Sequence, residues 1–306
     1  MTLGLFLTQA LNGLQFGVLL FLLAAGLTLV FGIMNFVNLA HGSFYMMGAY
    51  FAAATFGRTE SFLLAALVAV PGALLVGIVV ERVALMHLYR RDHLDQVLAT
   101  FGFILFFNEL VRIIWGPSSL YMNTPPWLSG TVNLFGLAYP AYRFAIITVG
   151  LAVGVVLYVL IHRTRIGMLI RAGATHPEIV AALGVNVRLL NTLVFGLGAA
   201  LAGLAGVMAG PIVSVQSGMG EPILILTLVV IVTGGIGSIR GAFYGALIVG
   251  IVDTIGRVFL PIVLREFLER SFAQAAGPAV ASMLIYVLMA VVLAFRPQGL
   301  FPVRHG

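Results

Sequence analysis

Cysteine is missing from all 306 residues, which excludes disulfides and thiolate metal sites. Lysine is missing as well, so all 16 basic residues are arginines. A phosphate-gripping Walker A loop needs a lysine, and any ATP use must therefore come from another chain. Charge of either sign is scarce: 8% of residues are charged, against about 25% in an ordinary soluble domain. With 61% hydrophobic residues the chain could not cover a globule with polar groups, and its natural solvent is lipid. Neither H-E-x-x-H nor G-x-S-x-G occurs, and the six histidines show no metal-ligand spacing, so hydrolase and metalloenzyme readings lack support. No cofactor is expected. The first charge is Arg58, so no basic segment precedes the first apolar run, which is expected to be a retained span. The net charge of +6 does not point to nucleic acid, because the arginines flank apolar segments without interleaved aromatics.

What is present is a series of apolar segments of the length that crosses a bilayer, roughly 20 residues each. They lie at about 9–33, 36–56, 61–81, 95–115, 144–162, 190–213, 222–239, 241–260 and 279–295, with 36–56 and 222–239 the least regular. The expectation is an all-α polytopic bundle of eight or nine spans, some of them broken or re-entrant, forming one membrane domain over 1–306. Between Gly116 and Tyr142 four prolines (Pro117, Pro125, Pro126, Pro140) suggest an ordered, turn-rich lid. With nine spans and the C-terminus inside, one side receives Arg82, Arg90, Arg91, Arg163, Arg165, Arg171, Arg188, Arg240, Arg296 and Arg304. The other receives only Arg58, Arg143, Arg265 and Arg270. Positive residues favour the cytoplasm, which places the N-terminus outside.

Two segments interrupt the apolar pattern. In the first, Asn35, Asn38, His41, Gly42 and Ser43 lie amid apolar residues. Polar groups and irregular backbone at membrane depth require protein or a water-lined cavity. The segment is either a broken helix meeting a polar solute or a short turn whose asparagines cap helix ends. The second runs through Gly234, Gly235, Gly237 and Ser238. No βαβ unit surrounds it, so a nucleotide loop is excluded; close helix packing and solute contact both remain open for its glycines. His41-Gly42-Ser43-Phe44-Tyr45 also resembles Arg240-Gly241-Ala242-Phe243-Tyr244. Paired, interrupted apolar segments are a pointer to a transporter's central site.

The loop at about 163–189 reads as two short helices, one near 166–174 and one started by Pro177 and Glu178 and closed by Gly184. Such a basic elbow suits an interfacial helix on anionic lipid or a docking element. Within the spans, Glu109 and Arg112 are three apart and Asp253 and Arg257 four apart, so each pair can neutralise itself. A proton relay through His41 or Asp253 is the competing use, and would make the chain a proton-coupled transporter.

Taken in order, Gly26-Leu27-Thr28, Asn38-Leu39-Ala40-His41-Gly42, Arg171-Ala172, Pro177-Glu178, Leu183-Gly184-Val185-Asn186, Gly234-Gly235-Ile236-Gly237-Ser238 and Phe295-Arg296-Pro297-Gln298-Gly299-Leu300-Phe301 resemble branched-chain amino acid ABC transporter permeases of the LivH type. The resemblance covers essentially the whole chain. It implies a type II-like ABC importer permease in the bacterial inner membrane, with no enzymatic activity of its own. It further implies a second homologous permease as heterodimer partner, two cytosolic ATP-binding subunits and a periplasmic solute-binding protein. Asn35, Asn38, His41, Gly42, Ser43, Gly234, Gly235, Gly237 and Ser238 would then belong to the translocation pathway. Arg171, Pro177, Glu178 and Gly184 would belong to the coupling helix that enters an ATPase cleft. Gly173-Ala174-Thr175-His176 departs from the pattern, which is more polar there. Urea and short-chain amide importers have similar permeases, so those solutes stand as the alternative cargo to leucine, isoleucine and valine.

Overall fold

The computed structural model describes residues 3–302 except Arg90 and Phe135. Arg90 and Arg304, counted above toward the basic side, lie outside the described residues. The helices are α1 (Leu3–Met34), α2 (His41–Thr59), α3 (Phe62–Val83), α4 (His93–Trp115), α5 (Ala141–Arg163), α6 (Arg165–Thr175), α7 (Pro177–Ala182), α8 (Val187–Ala209), α9 (Gly220–Gly234), α10 (Ile239–Leu264) and α11 (Arg270–Phe295). Seven of them, α1, α3, α4, α5, α8, α10 and α11, are long and apolar enough to cross a membrane. The two expected spans of least regular pattern are α2 and the 15-residue α9. Residues 36–40, taken as the start of the second span, are not helical.

With α2 and α9 counted among them, the bundle helices alternate in direction between two ends. At one end lie the last turn of α1, the first of α10 and the α6–α7 elbow; we call it the elbow end. The opposite end carries a hairpin of β1 (Thr131–Leu134) and β2 (Leu137–Pro140), which makes the expected lid an ordered strand pair. Asn12 pins it there, its carbonyl oxygen accepting from Tyr139 at 3.2 Å and from Arg143 at 2.6 Å.

Apolar sequence alone does not separate core helices from lipid-facing ones, because lipid and protein interior are equally apolar. Small residues do. In the most apolar windows of α1 and α8, 78% and 83% of residues are buried, against 11% for α11. α8 is rich in glycine and alanine, and α1 crosses α10 where Gly17 meets Ala246 and Gly250 backbone to backbone. Such approach gains close van der Waals contact, the main attraction left to helices in lipid. α2 packs against α3, α8 and α9, so the tyrosines and methionines of its first turns are covered on every side.

Candidate solute site

Asn35 ends α1 by taking a left-handed conformation, φ +47°, which asparagine tolerates better than most residues. The chain then doubles back along α1. His41, the first residue of α2, hydrogen-bonds through its ring Nε2 to the Leu23 carbonyl at 3.1 Å. Leu23 lies about three helical turns before the end of α1, so α2 starts deep inside the bundle. Local bonds hold the turn: the Asn38 side-chain oxygen accepts from the Ala40 N–H at 3.0 Å, and the Ala40 carbonyl accepts from Ser43. A buried Gln96 on α4 staples it from outside. Its side-chain oxygen accepts from the Val37 N–H, while its amide donates to the Leu88 and Arg91 carbonyls.

The second interruption of the bundle is in a different place from the glycine run. After α8, residues 211–219 descend from the hairpin end to Asn108, an interior position of α4. The Asn108 side-chain oxygen accepts from the Gly218 N–H at 3.1 Å, its backbone carbonyl accepts from Ser217, and its amide donates to Glu221 at 2.6 Å. There α9 begins, and its first residue meets α2. A Cβ on Gly42 would lie 2.4 Å from the Gly220 carbonyl oxygen, and one on Gly220 would lie 2.2 Å from that of Gly42. The two shorter helices, of 19 and 15 residues, thus share a starting point inside the bundle and run in opposite directions, α2 to the hairpin end and α9 to the elbow end. Neither start is capped by a side chain. The positive ends of two helix dipoles therefore converge on one point.

A narrow cleft lies at this junction between Gly42, Ser43, Asn108, Gly220 and Glu221, with Leu39, Met46, Ile104 and Leu224 as its apolar walls. It is shut: its empty space is broken into gaps smaller than a water molecule. Glu221 is exposed on the open side of α9, and among the described residues no cation pairs with it. A carboxylate turned to lipid at this depth would cost on the order of 3 kcal/mol, so this face of α9 borders protein or a water-lined path.

The residues singled out in the sequence fall into four places. Asn38, His41, Gly42 and Ser43 form the re-entrant turn and one side of the cleft; His41 serves there as a bolt to α1. Gly234 and Gly235 are packed. Gly234 lies against Gly241, and Gly235, at φ +113°, sits beneath the carbonyls of Gln298 and Phe301. The tail folds back to cap α9, Leu300 N–H donating to the Thr233 carbonyl and Phe301 N–H to that of Gly234. Asn35, Gly237 and Ser238 border a separate cavity of about 810 Å³ at the elbow end, and the Ser238 hydroxyl caps α10 by accepting from the Gly241 N–H. The five-residue likeness between 41–45 and 240–244 thus marks two helix starts whose glycines, Gly42 and Gly241, clamp opposite ends of α9.

The elbow folds as its sequence signals. Thr164 caps α6, Arg171 donates to the Ile161 carbonyl at the end of α5, Pro177 opens α7, and Gly184 closes it at φ +85°. Pro177, Glu178 and Gly184 are exposed, next to exposed Ile179 and Leu183. The intraspan charges pair as expected, Glu109 with Arg112 and Asp253 with Arg257, each at 2.8 Å; Arg257 also reaches Ser282 on α11. Asn108, Glu221, Gln96 and Glu81 went unnoticed in the sequence. Glu81, 2% exposed, accepts from the Tyr89 and Thr192 hydroxyls, both at 2.8 Å. Burial and the Glu81 acceptor push the Tyr89 phenol well above its usual range, so it remains a donor. The available signal was the cost of a carboxylate or amide within an apolar run, applied to Asn35, Asn38 and His41 but not to Asn108 in mid-span or to Gln96, Glu81 and Glu221 at segment edges.

A family model described as branched-chain amino acid transport system / permease component matches residues 9–293. The chain is 30% identical over 313 residues to the high-affinity branched-chain amino acid transport system permease protein BraD of Pseudomonas aeruginosa, covering 96% of this chain and 95% of BraD. It is 28% identical over 315 residues to the permease protein LivH of Escherichia coli strain K12, with the same coverage of 96% and 95%. LivM of that strain, a second permease protein named for the same transport system, is 27% identical over 320 residues, covering 93% of this chain and 68% of LivM. No solved structure matches.

Proposed function

The chain belongs to the branched-chain amino acid transport permease family, and on that premise we propose that it conducts branched-chain amino acids through the cleft where α2 and α9 begin. It is a multi-pass membrane permease subunit of an ABC importer, and ATP hydrolysis lies in other subunits. The observation that carries the cargo reading is the pairing of two uncapped helix starts with an unpaired carboxylate. A zwitterionic amino acid offers a carboxylate to the helix starts and Ser43, and an ammonium to Glu221 and Asn108. Leu39, Met46, Ile104 and Leu224 suit a branched aliphatic side chain. Urea carries neither charge and would leave Glu221 without a counter-ion.

The cleft is shut in this state, so passage requires movement of α9 against α2 and α4. Supply of solute by a periplasmic binding protein, and closure of two ATP-binding subunits on the α6–α7 elbows, would shift that equilibrium, since a ligand acts only through its differential affinity for the two states. The relation to both LivH and LivM supports a second, homologous permease beside this one. The exposed face bearing Glu221 is where the shared pathway would run. A proton relay is less suited: His41 is engaged by Leu23, and Asp253 is paired with Arg257.

Uptake of labelled leucine by cells with and without the gene tests the reading. Loss of uptake on deletion, with competition by isoleucine and valine and none by urea in the parent, is expected. Unchanged leucine uptake, or competition by urea instead, would remove the amino acid assignment while leaving the architecture.

A further inference from the structure

The 810 Å³ cavity at the elbow end is independent of the α2–α9 cleft and has its own chemistry. It is walled by the last turns of α1, the end of α5, α6 and the first turn of α10. Arg171 and Arg240 both border it, with His162 beside them, and no acidic side chain does. Arg240 lies over the Tyr158 ring, 5.9 Å from its centroid, and Tyr158 stacks on His162 with centroids 4.4 Å apart. Thr28 also lines the cavity. It is 1% exposed, and its hydroxyl has no hydrogen-bond partner. A hydroxyl without a partner in an apolar bundle is costly, and a ligand oxygen would satisfy it. The start of α10 adds the positive end of a 26-residue helix.

The remaining walls are apolar, among them Ile33, Ile161 and Ile236. Above the cavity, α5 and α10 both pack on α1, and their contact with each other is slight, with Arg240 over Tyr158 at the cavity, so a groove runs between them. Val155 and Val159 of α5 and Ile248 of α10 are exposed apolar residues on these two helices. A free phosphate would use the arginines alone. A phosphate carrying acyl chains uses the apolar walls and the groove as well, at the level where Tyr and Arg mark the edge of the apolar spans.

We infer that this cavity binds the phosphate headgroup of an anionic phospholipid, with its acyl chains leaving along the α5–α10 groove. The bound lipid ties α6 to α1 and α10, and so steadies the elbow from behind. The inference does not depend on which solute the permease carries.

The test is native mass spectrometry of the purified importer assembly, exchanged into mixed micelles of phosphatidylglycerol and phosphatidylcholine. Selective retention of phosphatidylglycerol is expected, falling about fivefold in Arg240→Gln, the share of one interfacial arginine, and restored largely in Arg240→Lys. Equal retention of both lipids, or retention unchanged in Arg240→Gln, overturns the inference. So does displacement of phosphatidylglycerol by millimolar inorganic phosphate, which would make the cavity a soluble-anion site.

Discussion

Glu221 and Gly42 define what single residues do here. Gly42 is confined by the Gly220 carbonyl, so it is a position where the side chain has to be absent for two helices to meet. Glu221 is the reverse, a side chain held by the Asn108 amide with no cation beside it among the described residues. Glu221→Gln keeps the shape and the bond to Asn108 while removing the charge. Loss of a charge-assisted hydrogen bond of about 1.5–3 kcal/mol predicts leucine uptake lower by about tenfold to a hundredfold, with normal amounts of protein in the membrane. Glu221→Asp should retain part of the uptake. Full activity of Glu221→Gln would show that the carboxylate is not used in passage.

Among elements, the elbow and α9 behave differently. The elbow is local in origin: its caps, its proline and its terminating glycine all act within a few residues, so α6 and α7 form where the sequence marks them. Exposed Ile179 and Leu183 flank Glu178 and give α7 an apolar face with one acid, suited to docking. Glu178→Arg should abolish ATP-driven uptake without changing membrane levels, checked by uptake and by co-purification of the ATP-binding subunits; normal uptake would sink the docking role. α9 is held from outside instead. Asn108 and Gly42 fix its start, and Gly241 and the tail at Leu300 and Phe301 fix its end. With 15 residues, it would span about 22 Å, short of the roughly 30 Å of a hydrocarbon core. Its shortness is what brings a helix start to the level of α2.

For the whole molecule, orientation is the open property, and the missing cysteines make it measurable. Single cysteines placed at exposed Trp127 on the hairpin side and Leu183 on the elbow would report through a membrane-impermeant maleimide. Labelling at position 127 in intact spheroplasts, and at 183 only after permeabilisation, is expected from the arginine distribution. The opposite pattern would invert the protein and place the elbow out of reach of any cytosolic ATPase.

The sequence by itself determined that the chain lives in lipid, where its seven long apolar helices lie, and how the elbow is capped. These follow from transfer out of water and from bonds between residues at most four apart. Only the tertiary structure decided that α2 and α9 are partial helices sharing one starting point, and that Glu221 and Asn108, far apart in the chain, meet beside Gly42. Hydropathy could not reveal this, because it measures escape from water and is blind to whether the new neighbour is lipid or protein. It also read the glycine run at 234–238 and the Asn-His turn at 35–43 as equivalent interruptions. Packing separates them: the tail and Gly241 fill the space around Gly234 and Gly235, while Gly42 and Ser43 border the cleft.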